Sequence, residues 1–237
     1  MAAVAGVGYS SADASLIIDV RAVTLNGQPI GGLNNSKSIS GAVIGDIIGY
    51  EVHAVVAGTD ANTANDGFNT AKGSLASTGT GTVQVNLTHL MTPTFSSLFN
   101  ATTNPTAHGT PSNLGGDTDT DIGVTLTPTN ATVGNIQYRA GASSVVGLDQ
   151  VIGTGNITVS ETAANAAAIN FIIGTTTATT NDPNWLEDGV AKTAKTVGVS
   201  YGVGAPLLVA TGEVPEPASL GLLSLGALSL LGRRRRA

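Results

Sequence analysis

Three carboxylates at alternate positions form the densest group of possible ligands in the sequence. Asp117, Asp119 and Asp121 are separated by single threonines, a spacing that resembles the opening of a calcium-binding loop. An EF-hand is excluded, because its sixth position requires glycine where this chain has Ile122, and its twelfth requires glutamate where this chain has Pro128. Two interpretations remain open, a looser calcium site that uses these carboxylates and a solvated acidic turn before a strand.

The histidines and the single tryptophan are the other side chains that could take part in catalysis or ligand binding. Glu51 and His53 are two residues apart, which places them on one face of a strand, whereas His89 and His108 lie far along the chain. A zinc site or an acid–base site needs several such groups to converge, and no spacing here requires it. We therefore predict that Glu51 and His53 are solvated residues on an outer face. Trp185 is either a platform for a sugar ring or a core residue, and the core is favoured.

The C-terminal residues combine three features in a fixed order. An uncharged apolar run spans residues 218–232, and as a helix rising about 1.5 Å per residue it is short for a hydrocarbon core of about 30 Å. Since arginines stay on the cytoplasmic side, the run predicts a weak transmembrane helix with the rest of the chain outside. The run is preceded by Val214, Pro215, Glu216 and Pro217 and followed by Arg233, Arg234, Arg235 and Arg236.

This tail resembles the PEP-CTERM sorting signal of bacterial exported proteins. The family's Pro-Glu-Pro motif, apolar helix and arginine cluster are matched by residues 215–217, 218–232 and 233–236. The resemblance implies recognition and cleavage by a membrane enzyme of the exosortase type, in cells that usually make an exopolysaccharide or biofilm matrix. The catalytic residues then belong to that enzyme. The alternative is an ordinary tail anchor, which gives the Pro-Glu-Pro motif no role.

The composition of the chain disfavours several classes of function for the residues before the tail. The net charge is −6, four of the ten basic residues lie in the tail, and there is no cysteine. An acidic body does not favour nucleic acid as a partner, and the absence of cysteine removes disulfides, thiol catalysis and thiolate metal sites. There is also no phosphate-binding loop. We predict that the protein is not an enzyme and carries no cofactor, calcium being the exception left open above.

Alternation of apolar and polar residues predicts an all-β body. Leu16, Ile18, Val20 and Ala22 share one face before an Asn26-Gly27 turn, and residues 46–57 repeat the pattern. Similar runs recur to give roughly seven to ten strands, which predicts an antiparallel two-sheet sandwich of the immunoglobulin or cohesin type. Polar connections are predicted at residues 58–73 and 92–116. Residues 161–169 fit a short helix or, equally well, a strand edge or loop. The later runs are residues 83–87, 122–126, 157–159, 169–173 and 197–203.

These patterns divide the chain into three parts. Residues 1–14 are predicted to be the remnant of a signal peptide or a flexible tail, because Ala12-Asp13-Ala14 resembles a signal-peptidase site without a basic region before it. We interpret them as a truncated leader. Residues 15–212 form the predicted sandwich domain, and residues 213–237 form the sorting signal with its single transmembrane-type helix.

The body also resembles the cohesin-like sandwiches found in many exported PEP-CTERM proteins. Residues 45–57 followed by Asn65-Asp66-Gly67-Phe68 match a segment where related chains carry an Asn-Asp-Gly element. Three functions follow as expectations. The favoured one is a structural or adhesive protein that is briefly anchored in the inner membrane and then delivered to the envelope, surface or matrix. A carbohydrate-binding or protein-binding module is the second, with exopolysaccharide as one partner, and a secreted hydrolase is the third.

Overall fold

The computed structural model describes fourteen segments of the chain, and all of its strands belong to two sheets. Two short 3-10 helices, Thr63–Asn65 and Ser97–Phe99, lie between strands. The described residues are 15–30, 37–60, 62–79, 88–90, 94–99, 108–114, 120–123, 125, 136–140, 144–159, 167–174, 183–193, 196 and 200–211. The strands are β1 (Ser15–Leu25), β2 (Gln28–Pro29), β3 (Ser38–Ala42), β4 (Ile47–Ala57), β5 (Gly67–Gly79), β6 (Thr88–Leu90), β7 (Thr94–Phe95), β8 (Pro111–Ser112), β9 (Asp121–Ile122), β10 (Ile136–Arg139), β11 (Val145–Val146), β12 (Asp149–Val159), β13 (Ala167–Ile173), β14 (Asn184–Glu187), β15 (Val190–Thr193), β16 (Ser200–Val203) and β17 (Leu207–Thr211).

The first sheet has the strand order β16-β1-β4-β12-β6, with β2 beside β1 and β7 beside β12. β1 ends at a turn in which Asn26 has a φ of 50° and Gly27 a φ of 76°, the conformation that an Asn-Gly pair adopts most easily. The apolar residues of β1 and β4 that were predicted to share one face are all buried. The predictions for these two strands are confirmed.

The second sheet has the order β15-β14-β5-β13-β17-β3 and is built around β5, whose other edge pairs with β9, β10 and β11. The prediction that residues 58–73 form a connection is wrong for Gly67 onward, since β5 begins there. β5 is buried on both faces, and Ser74 and Ser77 are fully buried although polar. A central strand covered on both sides shows no alternation, so its sequence carried no period-2 signal.

Two strand pairs are parallel, which corrects the prediction of a purely antiparallel sandwich. β1 pairs with β16 and β3 pairs with β17 in the parallel sense, whereas the remaining pairs of named strands are antiparallel. In both cases the partners are far apart in sequence. Turn residues in the sequence predict hairpins, which join neighbouring antiparallel strands. Parallel strands that are distant in the chain have no such local sequence pattern.

The core lies between the inner faces of the two sheets, with β1 against β13 and β4 against β5. Phe68 and Phe99 pack with their ring centroids 5.4 Å apart, and Tyr138 and Phe171 with theirs 6.0 Å apart. Phe99 is 1% exposed although it lies in residues 92–116, which were predicted to be a polar connection. That segment also contains β7 and β8, so the prediction is wrong there as well. Burial of one apolar side chain stabilises the folded state by about 1.5–3 kcal/mol. Even a short strand with one such residue is therefore held against the core.

Several sequence predictions fall outside the described residues. These are the N-terminal residues 1–14, the strand residues 83–87, Val124, Leu126 and 197–199, and the C-terminal residues 212–237 with their predicted helix. Residues 167–169, left open between helix and strand edge, belong to β13. Among the described residues, no helix has the length and apolar character required to cross a membrane.

Candidate functional site

The outer face of the first sheet carries a group of charged side chains, here called the ionic cluster. β1, β4 and β12 run side by side, and their register places Asp19 opposite His53 and Arg21 opposite Glu51. Asp149 lies opposite Val55, two residues along β4 from His53. All these side chains point away from the core because strand residues alternate between faces. The ionic cluster comprises Asp19, Arg21, Lys37, Glu51, His53 and Asp149.

Arg21 holds the ionic cluster together. Its Nε donates to Asp19 Oδ2 and its Nη1 to Asp149 Oδ2, each at 2.7 Å. Lys37 pairs with the other oxygen of Asp19 and also donates to the Ala205 carbonyl at 2.7 Å. Burial lowers the pKa of Arg21, but the hydrogen bonds to Asp19 and Asp149 outweigh it and leave that pKa raised. The cluster is therefore anchored by a permanent cation.

His53 lies between two carboxylates and is only 6% exposed. Its Nδ1 is 2.6 Å from Asp149 Oδ1 and its Nε2 is 3.0 Å from Glu51 Oε2. The prediction that Glu51 and His53 are both solvated is wrong for His53. Burial raises the pKa of Asp149, but hydrogen bonds from Arg21 and His53 lower it overall. Since both ring nitrogens face carboxylates, neither is free to act as a base or bind a metal, and the cluster joins three strands.

A shallow groove of about 260 Å³ lies on the same sheet beside Glu51. Its lining offers hydroxyl, amide and carboxylate groups, which are the groups that hydrogen-bond a polar ligand. A Cβ at Gly49 would lie 2.2 Å from Thr24 Oγ1, so the threonine side chain covers that point, and a Cβ at Gly155 would lie 2.4 Å from the hydroxyl of the buried Tyr50. The lining residues are Val23, Thr24, Gly49, Tyr50, Glu51, Thr94, Thr154, Gly155 and Asn156.

Asp121 is the one member of the predicted calcium group among the described residues. It is fully buried, and its Oδ1 accepts from the Ser77 amide at 2.8 Å while its Oδ2 accepts from the Leu114 amide at 2.7 Å. These bonds tie Asp121 of β9 to β5 and to Leu114, which follows β8. Asp117 and Asp119 lie outside the described residues, so calcium at these three positions stays a prediction. No three His, Cys, Asp or Glu side chains within the described ranges converge as a metal site.

Three further residues whose side chains could take part in chemistry, Trp185, Ser200 and His108, lie in positions that give them structural roles. Trp185 is 0% exposed in the core, which confirms the favoured interpretation and rules out a sugar platform. Gly198-Val199-Ser200-Tyr201-Gly202 has the spacing of the nucleophile elbow of hydrolases. Ser200 begins the edge strand β16 and is followed by strand residues, whereas an elbow requires a strand-to-helix turn. His108 forms a bridge with Ile136 in the second sheet, away from His53.

Comparison with protein-family models identifies the C-terminal segment. Residues 213–236 match the model of the PEP-CTERM protein-sorting motif. The C-terminal segment is a PEP-CTERM sorting motif. It includes Val214, Pro215, Glu216 and Pro217 and all four arginines from Arg233 to Arg236, as predicted. The PEP-CTERM motif implies an exported, envelope-associated protein that is processed by an exosortase.

The body was compared with solved structures and with curated sequences. It is similar to the sixth cohesin of scaffoldin B from Acetivibrio cellulolyticus, which was crystallised in complex with a dockerin of Cel5. The TM-score is 0.38 at 9% identity, and the alignment covers 84% of this chain and 99% of the cohesin. No curated protein matches the PEP-CTERM chain in sequence.

Proposed function

We propose that this chain is a bacterial surface or extracellular-matrix protein that is sorted and cleaved through its tail and has no enzymatic activity of its own. One observation carries the proposal, the match of residues 213–236 to the PEP-CTERM motif. The order of the three parts is the order that processing requires. The arginines stay in the cytosol, the short apolar run holds the chain in the inner membrane transiently, and the proline-bracketed Glu216 is presented outside.

The body serves adhesion or structure in this proposal. Its charged groups on the first sheet are paired with one another across β1, β4 and β12, and of these only Glu51 also lines the groove on that sheet. His53, the histidine best placed for acid–base chemistry, has both ring nitrogens against carboxylates. Such a sheet resists separation of its strands and suits a load-bearing module better than a hydrolase.

The intact mass of the mature protein from its native host tests the sorting proposal. We expect a product that lacks the C-terminal residues beyond the Pro-Glu-Pro motif in a host with its exosortase. Deletion of the exosortase gene and the variant Glu216→Ala should each retain the full-length chain in the membrane fraction. A matched control is Glu213→Ala, which lies outside the Pro-Glu-Pro triplet. Full-length protein lodged in the inner membrane of an unmodified host would overturn the proposal.

A second candidate function is carbohydrate binding, and the polar groove on the first sheet favours it. The groove is lined by Thr154, Asn156 and Glu51 together with two glycines. Its polar side chains can hydrogen-bond the hydroxyl groups of a sugar. Retention of the purified chain on matrix polysaccharide tests this function. The Asn156→Ala variant should elute earlier than the control Thr158→Ala, which lies on the same strand outside the groove. Equal elution of all three proteins would remove the groove as a binding site.

A further inference from the structure

The turn between β3 and β4 exposes three large apolar side chains. Val43 is 51% exposed, Ile44 60% and Ile47 45%, and these three residues are here called the apolar turn. Single exposed apolar residues are normal on a protein surface, whereas a group of them marks a surface that contacts something other than water. In the described segments the other exposed large apolar residues occur singly along the chain: Leu98, Val146, Val190 and Val203.

Hydrogen bonds fix the backbone of the apolar turn. The Asp46 amide donates to the Val43 carbonyl at 3.0 Å, and Gly45 has the positive φ, 91°, that the third residue of a type II turn requires. Asp46 also accepts the Val43 amide at 2.9 Å and Asn26 Nδ2 at 2.8 Å through its side chain. The Gly45 amide donates to the Val159 carbonyl at 2.8 Å. The exposed side chains are therefore carried by a backbone that is tied to the β1–β2 turn and to β12.

The body leads into its sorting motif at the same end. β3 and β17 are parallel, and Thr211, the last residue of β17, pairs with Ala42, the last residue of β3. Val43 follows Ala42 directly. The two strands therefore end side by side, and one continues into the apolar turn while the other continues toward the sorting motif.

The short connection to the apolar run limits how the body can lie on a membrane. The run begins at Ala218, seven residues after Thr211, and seven residues span at most about 25 Å when fully extended. β5 has 13 residues, so at about 3.3 Å per residue it is about 40 Å long. Its Gly79 end lies level with Val209 of β17, across β13. The connection is shorter than the sandwich, so the body cannot stand on the membrane by the opposite end while the run is inserted.

We propose that the apolar turn enters the interface of the inner membrane while the C-terminal run is inserted. The inference rests on the proposed sorting function. Three side chains bind a bilayer weakly by themselves, but the short connection raises their effective concentration at the membrane to about the millimolar range. Three half-exposed side chains offer much less than the roughly 800 Å² per partner that a stable protein interface buries, which disfavours a second copy.

Two attachments then hold the body, the apolar run and the apolar turn. A single tail would leave the body free to rotate about the connection. With the turn also in the interface, the end that bears Thr211 stays at the bilayer surface and Glu216 is kept beside it. A membrane enzyme that cleaves at the Pro-Glu-Pro motif then meets its substrate in one orientation.

The absence of cysteine from the chain makes the contact directly measurable. Val43→Cys places an environment-sensitive fluorophore on the apolar turn. Val146→Cys is the matched control, because Val146 is also a valine, is 52% exposed and pairs with Gly67 at the opposite end of β5. The full chain is reconstituted into vesicles of phosphatidylethanolamine and phosphatidylglycerol, with and without a nitroxide quencher on the acyl chains. Co-sedimentation with the vesicles is measured on the same samples and reports insertion of the tail.

We expect the label at position 43 to shift its emission to the blue and to be quenched by the nitroxide lipid about threefold or more relative to the label at position 146. The changes Ile44→Ser and Ile47→Ser on the Val43→Cys background should reduce that quenching by about half or more, since they remove the apolar neighbours of the label. Val190→Ser, a change at the opposite end of the body, should leave it unaltered.

Three results would overturn the proposal. Equal quenching at positions 43 and 146 in chains that sediment with the vesicles would remove the contact and leave the sorting function standing. A blue shift without lipid quenching would show that the turn meets protein, such as a second copy, rather than lipid. Chains that fail to sediment at all would overturn the membrane step of the sorting function together with the contact that rests on it.

Discussion

The ionic cluster on the first sheet and the carboxylates at the end of the second sheet differ in how their negative charge is compensated. In the ionic cluster, Asp19 and Asp149 are paired with Arg21 at 2.7 Å, so the chain supplies its own cations. At the other end, Asp66 and Glu187 are more deeply buried and have no such pair among the described residues. The first region is compensated by ion pairs, whereas in the second the Trp185 side chain and the charge of Lys192 act on Glu187 without an ion pair. A buried carboxylate is therefore compensated by a paired cation in one region and by a neighbouring indole and a more distant cation in the other.

Removal of the central cation should produce the largest effect. We expect Arg21→Met to destabilise the protein by about 2–3 kcal/mol, less than the roughly 3–5 kcal/mol for a fully buried pair because Arg21 is partly exposed. Urea unfolding of the full chain measures this. The double variant Arg21→Met, Asp19→Asn should recover part of the loss, since one unpaired carboxylate is then neutral. Equal stability of Arg21→Met and the parent would show that the cluster is solvated in practice.

A methyl group at Gly58 should test how tightly the second region is built. Gly58→Ala would place a carbon 2.6–2.7 Å from oxygens of Asp66 and Asp188, closer than any normal contact. We expect a loss of about 1–3 kcal/mol, typical of overpacking, measured by urea unfolding. Gly202→Ala, where a Cβ meets nothing within 4 Å, is the control. A harmless Gly58→Ala variant would mean that the two carboxylates do not flank that point.

The two regions should respond to pH in opposite directions. The pKa of Glu187 is raised in the folded state by burial, so its charge costs stability as pH rises from the unfolded value, near 4.5, through the folded one. The pKa of Asp149 is lowered, so its contribution is present above the unfolded value, near 3.8, and is lost as pH falls through the folded value. Melting temperatures against pH for Glu187→Gln and Asp149→Asn check this. The Glu187→Gln curve should decline less than the parent curve above pH 4.5.

The smallest effect is expected where the ionic cluster meets solvent. The Asp149 side chain is 44% exposed, and solvent screening limits such pairs to about 1 kcal/mol or less. Asp149→Asn should therefore destabilise the protein only slightly in low salt, and the difference should shrink in about 1 M salt, where charges are screened within a few ångströms. Urea unfolding at the two salt concentrations measures it. A large, salt-independent loss would show that Asp149 is indispensable to the position of His53.

The strands that could be predicted from the sequence are those with one apolar, buried face and one polar face. β1 and β4 alternate because one face meets the core and the other carries the ionic cluster, and the Asn26-Gly27 pair identified the turn between β1 and β2. The tail motif was found because three features coincide in order. β5 was missed because both of its faces are buried, so small polar residues replaced the expected alternation.

The meeting of the β14–β15 turn with residues 58–66 was also missed, although one of its signals was present. Asp188-Gly189 is a hairpin pair, and both residues have positive φ, 49° and 75°, so the β14–β15 hairpin was open to prediction. Its meeting with residues 58–66 was not, because the two segments are more than 120 residues apart in sequence and are joined only by the register of β5 with β14. Burial of Glu187 is a tertiary property that no local pattern encodes.

The position of β17 bears on how the body responds to force. The strand ends at Thr211, two residues before the sorting motif begins, and it is hydrogen-bonded on both sides, to β13 and to β3. Tension applied along the chain from its C-terminal end therefore reaches the body as shear on an interior strand, where bonds on two edges must rupture together. An outermost strand at that place would peel away bond by bond, so this topology lets the body bear mechanical load while the tail is held.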